Sequence, residues 1–330
     1  MDLPPGKVHV PPGHTWLSAR DAKTPTEEIH MLPEGVSAPK GYRQVLAAPD
    51  AADWLESIQG ELEALVQIKG ALLMVKEQDL PAGVKLLDMS LIQKVKLDKH
   101  RQLQKRKARV SVRGHKQEYG VDYLDTFAPC TQLSSVSIVF VSSLNLGQVV
   151  YRGWRMDVKT AFLNSTLNED LCVRLPRGLE YGGCTCAKLL TAVYGLKQAD
   201  KEWFDTSDAF IMGYDQRMRR SEFEPCRYFI RNAELAVIIL AYVDDYIIAT
   251  DSKDWYDTFV LAFHSRYACK DLGVLDVVMG IGVRWGSGAA YLSQTGYITQ
   301  MIDACRLRDA KPAALPMASA LSLPDGKDSS

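Results

Sequence analysis

The sequence has no hydrophobic run long enough to cross a bilayer. The longest, Leu235–Val243, falls far short of the ~20 apolar residues a membrane helix needs. The first residues, MDLPPGKVHVPPGH, lack the apolar core of a signal peptide. Cysteine is scattered: seven residues, at 130, 172, 184, 186, 226, 269 and 305, with no C-x-x-C. An odd number without paired spacing argues against a disulfide framework and for reduced thiols inside the cell, cytoplasmic or nuclear. Zinc at Cys184 and Cys186 would need two further ligands at finger-like spacing, and none is apparent. Net charge is almost absent, at −1, so the placement of charge carries more information than its sum.

What remains is an ordinary globular composition over 330 residues, 47% hydrophobic and 24% charged, enough for one large or two modest domains. Residues 1–40 are punctuated by proline and glycine and read as a poorly ordered leader. The stretch APDAADWLESIQGELEALVQI predicts a helix. It places Trp54, Ile58, Leu62, Leu65 and Val66 on one face, with Asp50 or Asp53 as N-cap. Between Lys94 and Lys116 there are ten Lys/Arg and one acid, Asp98. This is a pair of strands around a charged turn, either simply solvated or built to meet phosphates.

SSVSIVFVSSLNLG is a buried helix or strand, which periodicity alone does not decide. Helices are expected over QADKEWFDTSDAFIMG, stopping at Gly213, over DWYDTFVLAFHSRYA, and over GYITQMIDACRL with Ile298, Met301, Ile302 and Cys305 inward. A hairpin turning at Gly286–Gly288 precedes the last of these. There is no internal repeat, and hairpins interleaved with helices favour an α+β fold.

One stretch is anomalous. LAVIILAYVDDYIIAT is apolar throughout except for Asp244 and Asp245 at its centre. Each flank suits one strand, so the simplest structure is a hairpin with both carboxylates at its tip. Asp-Asp could be a plain polar turn, although two-residue turns prefer Asn-Gly or Asp-Gly. Alternatively a divalent cation offsets the repulsion of the two charges, and carboxylate oxygens suit Mg²⁺. Asp157, ending the strand-like WRMDV, offers a third carboxylate. Three such groups could hold two Mg²⁺ ions for phosphoryl transfer.

These residues resemble a known family. YVDD in an apolar hairpin, preceded by MDVKTAFLN, is similar to the reverse transcriptase of copia-type long-terminal-repeat retrotransposons. KARVSVRGHKQEYGVDYLDTFAP, YGLKQADKEWF, EPCRY, KDLGVLDVVMGIGV and YLSQTGYITQMI…AKPAALPM each look like blocks of that family in the same order, from about Ala47 to Met317. YxDD alone is a weak signal; six ordered blocks are specific.

The resemblance implies a right-hand polymerase with fingers, an antiparallel-sheet palm and a small partial thumb within residues 41–320. The remainder, 321–330, would be a tail cut before an RNase H domain. It further implies that the protein extends a primer with deoxynucleotides on an RNA or DNA template, using two Mg²⁺ ions, with Mn²⁺ as a possible substitute. Asp157, Asp244 and Asp245 would be catalytic metal ligands, and Val158 would lend its backbone carbonyl. Lys107 and Arg109 would grip the triphosphate, with Lys105 or Arg106 able to take that place if the register shifts. Phe162 would bar a ribose 2′-hydroxyl, Gln198 would pack near the nucleotide sugar, and Met279 and Gly280 would lie in the primer grip. No membrane association is implied. The protein would reside in the cytoplasm, as in a virus-like particle, or in the nucleus.

The sequence departs from the family pattern at Asn164–Ser165, where Asn-Gly is usual, at Asp200–Lys201, and at Gly282, and tryptophans usual near the first strands are missing. A nucleic-acid-binding remnant without turnover is therefore the first rival reading. A different palm enzyme, such as a nucleotide cyclase, is the second.

Overall fold

The computed structural model describes residues 38–97, 102–145, 154–158, 160–286 and 289–311; the expected leader and tail fall largely outside these. Helices α1 (Tyr42–Leu46) and α2 (Ala51–Glu63) precede strands β1 (Leu72–Val75), β2 (Leu86–Leu97) and β3 (Leu103–Val112). Then come α3 (Leu133–Asn145), β4 (Trp154–Val158), β5 (Cys172–Arg174), β6 (Cys186–Leu189) and α4 (Ala199–Tyr214). Strands β7 (Arg219–Arg220), β8 (Arg227–Arg231), β9 (Ala236–Tyr242) and β10 (Asp245–Thr250) lead into α5 (Lys253–Arg266). Next are β11 (Cys269–Val274), β12 (Val277–Val278), β13 (Ile281–Gly286), β14 (Ala289–Ser293) and α6 (Thr295–Ala304). The fold is α+β, as expected.

The strands form three sheets, ordered β1-β6-β5-β2-β3, β11-β4-β10-β9-β8-β7 and β12-β13-β14. The basic segment forms the long antiparallel ribbon β2–β3, and α2 packs on it through the predicted face: Trp54, Ile58, Leu62 and, one turn on, Leu65 are buried. Asp50 stands at the N-cap position of α2 without capping it. Its carboxylate instead accepts from Trp54 Nε1 at 3.1 Å and from Arg106 Nε.

The six-stranded sheet explains why its central hairpin reads as continuous core. Val237, Ile239, Tyr246 and Ile248 belong to the main hydrophobic cluster, with the α4 and α5 aromatics Trp203, Phe259 and Phe263. Leu240, Ile247 and Ala249 belong to a second cluster, with Val136, Val139 and Phe140 of α3 and with Val278 and Val283. Because successive strand residues point to opposite faces and both faces are covered, the usual apolar–polar alternation disappears.

The segment left open between helix and strand is helix α3. Its buried residues Val136, Val139 and Phe140 follow helical spacing, but exposed Ile138 and Val141 mask that pattern in the sequence. The buried Glu224 carboxylate accepts from Gln132 N at 3.3 Å and Ser135 Oγ at 2.6 Å, placing negative charge at the helix N-terminus, where the helix dipole favours it.

Two expectations are corrected. Helix α4 does not stop at Gly213 but runs to Tyr214, whose ring packs against Phe259 at 5.0 Å. The face of α6 expected to point inward is exposed: Ile298 by 53%, Met301 by 43% and Ile302 by 38%, and Cys305 is exposed too. Its periodicity is amphipathic as read, but among the described residues no element covers that side. The expected hairpin before α6 is β13–β14, with Gly286 in register with Ala289. Among the described residues no helix is long and apolar enough to cross a membrane.

Candidate active site

Strands β9 and β10 pair in strict antiparallel register from Val237–Thr250 to Tyr242–Asp245. The two-residue turn between them is therefore Val243–Asp244. Both carboxylates had been expected at the tip; the structure puts Asp244 in the turn and Asp245 at the start of β10. The turn is set one residue earlier because Val243, not Asp244, takes the left-handed conformation, at φ 55°. This is the position where glycine is favoured in such turns, and a β-branched residue held there costs on the order of 1–3 kcal/mol.

Two hydrogen bonds hold that turn. Trp203 Nε1, from α4, donates to the Val243 carbonyl at 2.6 Å, and Val158 N donates to the Asp244 carbonyl at 2.9 Å. Strand β4 pairs with β10 so that Asp157 lies opposite Asp245 in the backbone register. The three aspartate positions expected to act together are thus assembled by backbone register, which no local sequence pattern could reveal. Asp244 and Asp245 are half-buried. Burial pushes the Tyr242 phenol well above its ordinary range, and negative charge at Asp244 and Asp245 adds to the effect. The donor set is carboxylate oxygen, the kind Mg²⁺ takes. No group of three His, Cys, Asp or Glu side chains placed to hold a metal occurs among the described residues, which do not include the Asp157 side chain.

Beyond Asp157 the chain turns through Thr160, itself left-handed at φ 54°, into a short 3₁₀ segment, Ala161–Asn164. Asn164 Nδ2 donates to the carbonyls of Thr160 (3.1 Å) and Ala161 (3.2 Å). Neither Asn164 nor Ser165 needs a positive φ, so the missing glycine there costs the turn nothing. Phe162 is buried and meets Tyr194 in a T-shaped contact, with ring centroids 5.2 Å apart.

On β3, Arg106 turns toward α2, where Asp50 and Asp53 hold it. Alternation sets Lys105, Lys107 and Arg109 apart from Arg106, and the Arg109 guanidinium lies over the Tyr194 ring, 4.6 Å from its centroid. Burial raises the Glu61 carboxyl above its ordinary range, against the pull of the Val110 N–H and of the nearby Arg109 and Lys107 charges.

Gln198 differs most from expectation. It is 0% exposed; its Oε1 accepts from Gln117 Nε2 at 3.0 Å and its Nε2 donates to the Asp122 carbonyl at 3.0 Å. An amide so engaged braces the loop beneath the site and presents no surface to a ligand. Met279 and Gly280 form the tip of the β12–β13 hairpin, at φ 48° and 77°, and Met279 packs on the cluster containing Leu240 and Ile247.

Sequence reasoning gave no role at the site to Tyr194, Trp203, Gly114 or Gly195. These two glycines let backbones touch: a Cβ on Gly195 would lie 2.1 Å from the Val112 carbonyl oxygen, and one on Gly114 would lie 2.0 Å from that of Gly195. Glycine inside two of the quoted blocks was the available signal.

Comparison with known proteins agrees with this geometry. Residues 74–319 match the family model described as reverse transcriptase (RNA-dependent DNA polymerase). The retrovirus-related Pol polyprotein from transposon TNT 1-94 of Nicotiana tabacum is 31% identical over 291 residues, covering 86% of this chain and 21% of the relative. Those from transposons RE1 and RE2 of Arabidopsis thaliana are 29% and 27% identical over 72% and 74% of this chain, and 16% of each relative is covered. The chain thus spans about a fifth or less of the length of these relatives. With the matched family model covering most of its length, this chain belongs to the reverse transcriptase family, in the form carried by copia-type Pol polyproteins.

Proposed function

We propose that the chain is an RNA-directed DNA polymerase domain that extends a primer with deoxynucleotides on an RNA or DNA template. The observation that carries this reading is the register of Asp157 opposite Asp245 beside a strained turn bearing Asp244. On this reading the five-stranded sheet serves as fingers and the six-stranded sheet as palm. Asp157, Asp244 and Asp245 would hold two Mg²⁺ ions, with Mn²⁺ able to replace them. When bound, such ions neutralise phosphate charge and lower the pKa of the primer hydroxyl.

The chain's own residues do the positioning. The two bonds to the Val243–Asp244 turn fix where the carboxylates stand, which matters because small displacements are costly in a reaction governed by orientation. Arg109 and Lys107 supply cations for the triphosphate, Phe162 bars the ribose hydroxyl, and Met279–Gly280 approaches the primer end. Gln198 acts from behind, through Gln117 and Asp122, and does not touch the sugar.

The test is primer extension on an RNA template with Mg²⁺, wild type against Asp244→Asn. Extension by the wild type, reduced at least a hundredfold in the variant with its melting temperature retained, supports the reading. Template binding without extension by either protein supports a remnant that binds nucleic acid without turnover.

A further inference from the structure

Arg109 lies on strand β3 and Phe162 in the 3₁₀ segment after β4, in different blocks of sequence, yet one side chain touches both. Tyr194 carries the Arg109 guanidinium over its ring at 4.6 Å and meets the Phe162 ring at 5.2 Å. Its backbone is tied to the strand that bears Arg109: the Tyr194 carbonyl accepts from Val112 N at 2.8 Å and from Ser111 Oγ at 3.1 Å. Gly195, at φ 93°, then passes so close to β3 that a side chain there would overlap the Val112 carbonyl. The Tyr194 backbone therefore cannot shift relative to β3 without breaking these contacts. A displacement of the guanidinium is felt by an aromatic ring that also meets Phe162.

We infer that Tyr194 is a positioning residue that couples the triphosphate grip at Arg109 to sugar discrimination at Phe162. This rests on the polymerase reading above and adds a residue which that reading does not use. A triphosphate that draws Arg109 into place fixes the ring, and the ring fixes Phe162 at the closeness that separates deoxyribose from ribose. Tyr194 touches neither sugar nor phosphate. The coupling runs through the two ring contacts, which phenylalanine in place of tyrosine would keep.

The test compares wild type, Tyr194→Phe and Tyr194→Leu in single-nucleotide extension with dATP and with ATP on an RNA template. Phenylalanine keeps both ring contacts and should keep the KM for dATP and the dATP-over-ATP ratio of kcat/KM within about twofold. Leucine, with a cation–π contact of ordinary strength lost, should raise the KM for dATP about five- to twentyfold and lower the ratio several-fold. It should also make Phe162→Leu nearly without further effect on the ratio. A Tyr194→Leu protein with reduced kcat but unchanged KM and ratio, or ratio effects that simply multiply with Phe162→Leu, would overturn the coupling.

Equilibrium binding of dATP and ATP to the protein on a primer–template, with Mg²⁺ present, separates this inference from the polymerase reading. If the wild type binds dATP preferentially but extends nothing, activity fails while the coupling stands or falls on the binding ratio in Tyr194→Leu. If the wild type shows no preference in either assay, the coupling is wrong. Melting curves on all three proteins show whether leucine acts through unfolding, in which case Tyr194→Phe with dissociated KM and ratio would overturn the inference on its own.

Discussion

Two hairpin turns in this molecule have the same length and the same left-handed, non-glycine first residue, Val243 at φ 55° and Met279 at φ 48°, but differ at the second. Val243–Asp244 joins strands of seven and six residues with both faces buried. It puts a β-branched residue where glycine belongs and holds it with Trp203 and Val158. Met279–Gly280 joins a two-residue strand to β13, and its second position is glycine, which adopts positive φ without cost. The first turn is held by bonds from outside it, whereas the second takes half of its left-handed backbone from a glycine. A turn that resists its local preference marks a place where position outweighs ease of folding.

That contrast can be broken by removing the outside support. Trp203→Phe deletes the donor to the Val243 carbonyl and leaves the carbonyl unpaired. It should cost about 2–3 kcal/mol, lower the melting temperature by several degrees and reduce primer extension at least tenfold. Unchanged extension at a lowered melting temperature would make the bond mere packing. Relaxing the first turn from within is a smaller change. In Val243→Gly the release of strain, about 1–2 kcal/mol, is offset by lost packing and by glycine's greater entropy when unfolded. Chemical denaturation should therefore show nearly wild-type stability while extension falls several-fold. The smallest effect is expected where the turn depends on its own sequence. Gly280→Ala, at φ 77° with open space around the position, should lose about 1 kcal/mol and, if Met279–Gly280 meets the primer, weaken primer affinity without changing dNTP selection.

Much of this architecture could be read from residues alone, for reasons that also explain the failures. The arms of the β9–β10 hairpin were legible because β-branched runs and flanking polar residues specify strands locally. The turn was misplaced by one residue because Asp-Asp is the better local turn and tertiary hydrogen bonds override it. Helix α2 showed its face plainly, whereas α3 hid its face behind exposed Ile138 and Val141. That α2 holds Arg106 could not be read locally, because Asp50 and Asp53 lie half a hundred residues away in sequence. That Gln198 bonds Gln117 and Asp122 was not legible, because both partners lie far off in the chain. For α6, the apolar stripe was real, but what it packs against is not contained in the stripe.

The close passage of Gly114, Gly195 and Val112 has a mechanical consequence. With no side chains between the backbones there is no cushion, and the base of the β2–β3 ribbon is clamped rather than hinged. Arg109, about 10 Å from Val112 at ordinary strand rise, sits near this clamp and keeps its aim. Further out, Asp50 and Asp53 of α2 hold Arg106, so the strand is fixed at two points. Two glycines at its root and one ion-paired arginine beyond them give the cation between a rigid mount.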